Sequence, residues 1–391
     1  MVPNGWSKLS LQDLVSINYG KSPKEIIDEN GIYDIVGTGG ITGSTNSYLH
    51  SGPSVIIGRK GTIDKPQFLE KPFWAIDTTF YCLPLDSKKL DMNWFYQLSQ
   101  VIDWRKYNEA SGVPSLSRGT IYSIKVPTPP IQEQQKIVKI LTIWDKAIDT
   151  TERLIDNSKQ HKKALMQQLL TGKKRLLDDE GKRFEGEWEE VILEDHLESF
   201  QNGYAFKASH YEETGIPIIT MGNIGLDGKF NERLSKVNYW SYDKALERYE
   251  VNNGDLLIAM TDVTPDKNLI GRMTIVTTDK TFYLNQRVGL IKPKPTLDKH
   301  FLRCLSNDVC WRRYSLAVSA SGVQANMSTK DIKNGTIKLP SFKEQQKIAA
   351  VLTNANKEIE LLEQQLADLQ QEKKALMQVL LTGKKRVRID G

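Results

Sequence analysis

The chain repeats itself at a fixed offset, and that feature constrains its fold more than any other. Glu133-Gln134-Gln135-Lys136-Ile137 returns as Glu344-Gln345-Gln346-Lys347-Ile348, and Lys162-Lys163-Ala164-Leu165-Met166-Gln167 as Lys373-Lys374-Ala375-Leu376-Met377-Gln378. Leu169-Leu170-Thr171-Gly172-Lys173-Lys174-Arg175 returns as Leu380-Leu381-Thr382-Gly383-Lys384-Lys385-Arg386. All three pairs lie 211 positions apart, so no insertion separates them. Weaker echoes extend the unit upstream. Trp6, Leu11 and Asp13 resemble Trp188, Leu193 and Asp195, and Ser111-Gly112-Val113 returns as Ser321-Gly322-Val323, ahead of Pro127 and Pro340. The frame is therefore a module followed by a shared segment, twice over. The module interiors diverge, with about 105 positions from Trp6 to Ser111 and about 133 from Trp188 to Ser321.

The shared segments read as long helices. In the second copy Ile348, Leu352, Ala355, Ile359, Leu362, Leu366, Leu369, Lys373, Leu376 and Leu380 alternate at steps of four and three, a coiled-coil seam broken by Lys373. The first copy places Ile137, Leu141, Trp144, Ile148, Thr151, Ile155, Ser158, Lys162, Leu165 and Leu169 in the same register, with a more polar middle. Pro129-Pro130 and Pro340-Ser341 mark helix starts; Gly172 and Gly383, each followed by basic residues, mark helix ends. Because the second module connects the end of one helix to the start of the other, the simplest pairing is antiparallel. A pseudo-two-fold axis across such a pair would send the modules to opposite ends of a spacer, ~50 Å from Ile137 to Leu169 at ~1.5 Å per residue. A helix pair that serves only to hold proteins together is the competing reading.

The modules read as mixed strands, loops and short helices. Ser54–Gly58, Thr78–Leu83, Asp255–Met260, Met273–Val276 and Val288–Ile291 have strand character; Met92–Tyr107 and Asp298–Leu316 read as helices. Gly37–Gly43 and Gly222–Gly225 read as loops. The expected fold class is α+β: two globular domains with mixed, largely antiparallel sheets, two long antiparallel coiled-coil helices and an internal pseudo-two-fold repeat. The expected boundaries are 1–128 and 176–339 for the modules, 129–175 and 340–386 for the helical segments, and 387–391 for a tail.

Catalytic signatures do not emerge. The phosphate-cradling Gly-x-x-x-x-Gly-Lys-Ser/Thr is missing, the glycine run at Gly37 lacks dinucleotide spacing, and Pro129-Pro130 is not set in an amino-methyltransferase tetrad. His50, His161, His196, His210 and His300 show no ligand spacing with Cys82, Cys304 and Cys310, so no metal is expected. Too few cysteines for a disulfide framework, no apolar run of membrane length and no secretory pattern at Met1–Trp6 point to a cytoplasmic protein. A net charge of +5, from 53 basic and 48 acidic side chains, is too mild to identify a nucleic-acid binder by itself.

Loops that mix basic, amide and aromatic side chains do suit DNA, because arginine and lysine pair with guanine edges or phosphates, and asparagine and glutamine with adenine. The candidate DNA contacts are Lys21, Thr38, Arg59, Lys60, Thr78, Ser111 and Arg118 in the first module. In the second they are Asn202, Tyr204, Lys207, Asn285, Gln286, Arg287 and Ser321.

Taken with the Pro-x-x-x-Glu-Gln-Gln-Lys-Ile helix starts, the Leu-Leu-Thr-Gly-Lys-Lys-Arg endings and the divergent modules, the sequence resembles a specificity subunit of type I restriction–modification systems along essentially its whole length. Gly58-Arg59-Lys60-Gly61 and Trp74–Phe80 look like segments common in that family's target-recognition domains. The resemblance implies that each module binds one half of a split, asymmetric double-stranded DNA target while the helices hold a gap of unread base pairs. Readers one DNA turn apart would be ~34–36 Å from each other, the same order as the spacer. It further implies two adenine-N6 methyltransferase subunits and ATP-dependent restriction subunits as partners. S-adenosylmethionine and ATP would then sit on those partners, with no cofactor and no catalysis on this chain. A coiled-coil scaffold that binds proteins without reading DNA is the alternative, and a self-sufficient methyltransferase the least favoured.

Overall fold

The computed structural model describes residues 2–232, 237–319 and 325–388. The chain divides into two compact units, Met1–Arg153 with Glu363–Gly391, and Leu154–Leu362. This division runs through both long helices, Ile131–Leu169 and Phe342–Leu380, each 39 residues and therefore about 58 Å long.

In the first unit Val15–Tyr19, Thr79–Pro84, Ser54–Gly58 and Gln67–Leu69 form an antiparallel sheet in that order. Tyr33–Gly37 pairs antiparallel with Gly40–Thr45 and parallel with Phe73–Ala75. A ribbon of Ser7–Ser10 against Lys125–Thr128 ties the start of the module to its end. Ser54–Gly58 is buried along its whole length, so it reads as a continuous apolar run rather than an alternating one. Helix Met92–Val101 buries Trp94, Phe95 and Leu98 in the same core as Val55, Ile57 and Phe80. Ile137 and Leu141 from the first long helix join that core, as do Met377 and Leu380 from the second.

The second unit uses the same strand order. Leu197–Asn202, Val288–Pro293, Leu256–Ala259 and Met273–Ile275 make its antiparallel sheet. Ile216–Ile219 runs parallel to Phe282–Leu284, and Glu189–Ile192 pairs with Thr336–Leu339. Its core takes Leu169 and Leu170 from the first long helix, and Ile348 and Leu352 from the second. Within each unit, then, the start of one helix meets the end of the other. Every expected seam position is buried or half-buried, whereas intervening residues such as Lys139, Ile143, Lys146, Leu361 and Gln365 are exposed.

The repeated words at the helix ends have a structural reason beyond helix formation. Glu133 is fully buried; its Oε1 accepts from Arg386 Nε at 3.1 Å, and its Oε2 from Arg386 Nη2 at 2.7 Å and Trp6 Nε1 at 3.0 Å. Glu344, equally buried, accepts from Nε and Nη2 of Arg175, both at 2.7 Å. Each helix start is thus locked to the basic tail of the other helix by a forked, charge-assisted pair. The neighbouring glutamines fasten the modules. Gln134 accepts from Asp91 N at 2.9 Å and donates to the carbonyls of Lys89 and Pro129; Gln345 accepts from Asp298 N at 2.8 Å and donates to those of Thr296 and Pro340. Asp91 and Asp298 in turn cap the helices that follow them. Gly172 and Gly383, at φ 70° and 74°, take the left-handed conformation that ends each long helix, where a side chain would be strained.

Three expectations are corrected. Met92–Tyr107 is not one helix: it stops at Val101, because Trp104 folds back and donates from Nε1 to Ser99 O at 2.7 Å, and a 3-10 turn follows. Asp298–Leu316 is broken between Leu305 and Val309, where Ser306 Oγ accepts from Met273 N and Asp308 caps a new helix. Gly37–Gly43 is not a free loop but a tight hairpin, with strands continuing to Gly37 and from Gly40.

Candidate nucleic-acid interface

In the first unit the strand ends bring most of the candidate residues to one place. Tyr19 closes its strand, and Gly20 crosses so near the Ala75–Ile76 backbone that a Cβ would lie 2.0 Å from Ile76 O. Lys21 N then donates to Ala75 O at 2.9 Å. Opposite, the amides of Arg59 and Lys60 donate to Thr78 O at 2.8 and 3.1 Å, and Arg59 Nη1 to Asp77 O at 3.1 Å. Leu116 N donates to Arg59 O and Gly61 N to Pro114 O, which draws in the segment leading to Arg118. Thr38, at the hairpin turn, lies 3.5 Å from where a Cβ on Gly61 would sit.

The guanidinium groups of Arg59 and Arg118 lie 5.2 and 5.3 Å from the centroid of the Tyr19 ring. That ring is 46% exposed and stands edge-on to buried Phe80 at 5.0 Å. One aromatic face set thus gathers two cations at the surface. Lys21, Arg59, Lys60 and Arg118 form no ion pair among the described residues, so their charge remains available to an anionic ligand. Ser111 is different: it is exposed in a loop that the structure does not tie to this cluster.

The corresponding loops of the second unit converge in the same way. A Cβ on Gly203 would lie 2.3 Å from Asn285 O. Tyr204 N donates to Leu284 O at 2.8 Å, Gln286 N to Tyr204 O at 3.0 Å, and Met260 N to Arg287 O at 3.0 Å. Tyr204 is 37% exposed and packs edge-on against Phe206 and tilted against Tyr249, over which Arg248 sits at 4.6 Å. Gln286 and Arg287 are exposed and their side chains have no hydrogen-bond partner among the described residues. The two asparagines are partly committed: Asn202 Oδ1 accepts from Thr329 Oγ1 at 2.9 Å, and Asn285 Oδ1 from Arg287 N at 3.1 Å. Lys207 is exposed at the start of a short 3-10 turn, and Ser321 lies outside the described residues.

Sequence reasoning passed over Tyr19, Arg248 and Tyr249. Their signal was an aromatic residue at a strand end or beside an arginine, which acquires meaning only when the partner loop is placed. Among the described residues no group of three or more His, Cys, Asp or Glu side chains could hold a metal ion, and no helix is long and apolar enough to cross a membrane. Burial pushes the thiols of Cys82 and Cys304 up, which keeps both protonated.

Comparison with known proteins agrees with this architecture. A family model described as the type I restriction modification DNA specificity domain matches residues 3–158 and 185–371. The chain is similar to the type I restriction enzyme MjaVIII specificity subunit of Methanocaldococcus jannaschii, at 26% identity across 99% of this chain and 94% of that protein. It is also similar to the EcoBI specificity subunit of Escherichia coli, at 22% identity across 89% of this chain and 78% of that one. Among solved structures, the type I restriction–modification S subunit from M. genitalium superposes with a TM-score of 0.62 at 15% identity, covering 97% of this chain and 98% of that one. A chain from a structure on complex assembly and conformational transition of the type I R-M system gives 0.60 at 16% identity, covering 98% and 100%. At such identities the structural likeness is one of fold: mixed α+β with two domains.

Proposed function

Because the chain belongs to the type I restriction–modification DNA specificity family, we propose that its two modules divide one DNA target, each reading a half-site through its gathered strand-end loops. The chain is a specificity subunit and gives such a system its DNA sequence recognition. Support for the division of labour comes from one observation above all: unlike sequences build the same loop convergence in both units, and each sets arginine against an aromatic ring, Arg59 and Arg118 at exposed Tyr19, and Arg248 at half-buried Tyr249, whose hydroxyl it also donates to. Lysine and arginine there can neutralise phosphates, while Gln286 and the arginines can address base edges.

The long helices, as an antiparallel coiled coil carrying the pseudo-two-fold repeat, set the gap of unread base pairs between half-sites. The chain performs no chemistry in this reading. Two adenine-N6 methyltransferase subunits bring S-adenosylmethionine and flip the target adenine, and restriction subunits bring ATP. A protein-binding scaffold is not favoured, since it gives no reason for family-wide DNA specificity.

Mapping methylated adenines in DNA from cells carrying the complete system tests the proposal. Two short, unlike half-sites at a constant spacing are expected. Methylation at a continuous single site, or a target unchanged when residues 176–339 are exchanged for another recognition module, would remove it.

A further inference from the structure

The repeat allows one corner of each unit to be compared residue by residue, and the two corners differ in charge. In the first unit Lys373 interrupts the helix seam but is satisfied: its Nζ is ion-paired to Asp145, with only 13% of the lysine side chain exposed. Asp145 also accepts from Gln97 Nε2 at 3.1 Å, and its charge reaches the neighbouring Tyr96. In the second unit the seam lysine is Lys162, and the residue 211 positions after Asp145 is Asn356. Tyr96 lies five residues after the capping Asp91, and the residue five after the matching cap, Asp298, is Arg303. The carboxylate has become an amide and the phenol a guanidinium.

The result is a half-buried lysine with no hydrogen bond or ion pair among the described residues. It lines a cavity of about 400 Å³ together with Lys163, Arg272, Arg303, Asp227 and Asn356. Four cations face one carboxylate there, and Asp227 is itself 3.7 Å from Lys229. Arg272 spends its Nη1 on Leu226 O and Asn307 Oδ1, and Arg303 its Nη2 on Thr353 Oγ1. The thiol of Cys304, also on the wall, is held protonated by burial and supplies no negative charge. Burial disfavours an uncompensated ammonium, and its pKa is accordingly lowered.

We infer that this cavity is an oxyanion site, in which a carboxylate or phosphate group from outside the chain takes the place that Asp145 fills in the first unit. Lys162 and Arg303 are its principal ligands and Asn356 a hydrogen-bond donor.

Thermal unfolding of the full chain, with chloride replaced by inorganic phosphate or by acetate at constant ionic strength, tests it. A saturable rise of about 2 °C in Tm is expected with the preferred anion. Response to phosphate alone identifies a phosphate-bearing occupant, and response to acetate alone a carboxylate. N356D should raise Tm without added anion and abolish the increment, because it restores the internal pair; K162Q should abolish it too. No difference between these anions and chloride, or an increment that survives in K162Q, overturns the assignment. Should N356D fail to fold, wild type against K162Q still decides.

Discussion

At the scale of single residues, the candidate interface depends on Tyr19, which holds Arg59 and Arg118 over one ring. Arg59→Ala and Arg118→Ala are expected to weaken DNA binding and to lower the slope of log K against log salt by about 1 each if both meet phosphate. Tyr19→Leu should weaken binding while keeping that slope, since both cations remain. Filter binding or fluorescence anisotropy across a salt series separates these outcomes; unchanged affinity in all three would discard the cluster. A second residue-level expectation concerns pH. Burial holds His50, packed on Tyr81 and Phe73, and also His300, below their ordinary value near 6.5. The unfolded chain therefore takes up protons first as pH falls, so stability is full above about pH 6.5 and declines below it. His50→Phe should flatten the fall in Tm between about pH 7.5 and 5.5. The basic and amide loops were legible in sequence because Arg59-Lys60-Gly61 and Asn285-Gln286-Arg287 are contiguous. Tyr19 with Arg118 was not, since their meeting depends on a strand end and a loop 99 positions apart.

At the scale of elements, the long helices were the most legible part, because a seam period is written along one dimension and Gly172 and Gly383 mark its ends. The short helices were misjudged where a tertiary contact decides: Trp104 turning back on Ser99, and Asp308 capping a restart. What no pattern revealed is that the repeated Glu-Gln pair joins elements rather than merely starting a helix. Glu344→Ala, which leaves the guanidinium of Arg175, 16% exposed, without its counter-charge and with only the carbonyls of Glu185 and Gly186, should cost about 3 kcal/mol in the denaturant unfolding of the second unit. Arg386→Met should cost less than Arg175→Met. Arg386 is 42% exposed, and Glu133 keeps a donor in Trp6, whereas the buried Nε1 of the matching Trp188 has no partner among the described residues. Equal losses would show that the two locks are energetically the same despite their different surroundings.

At the scale of the whole molecule, helix length and base reading should be separable. Deleting one heptad from each long helix removes about 10 Å of rise, or about three base pairs of gap, and should leave both half-sites as they were. Methylation mapping of such a variant checks this, and altered half-site bases would refute it. The same organisation bears on how the chain comes off the ribosome. Leu154–Leu362 is continuous, so the second unit has all its parts once that stretch has emerged. The first unit needs Glu363 onward: Arg386 reaches back 253 positions to Glu133 and 382 to Asn4. At ~5–20 residues per second, Ile137 and Leu141 lack Met377 and Leu380 as core neighbours for about ten to fifty seconds. A nascent chain of this design therefore carries its first unit without that closing helix end for as long as residues 154–362 are being made.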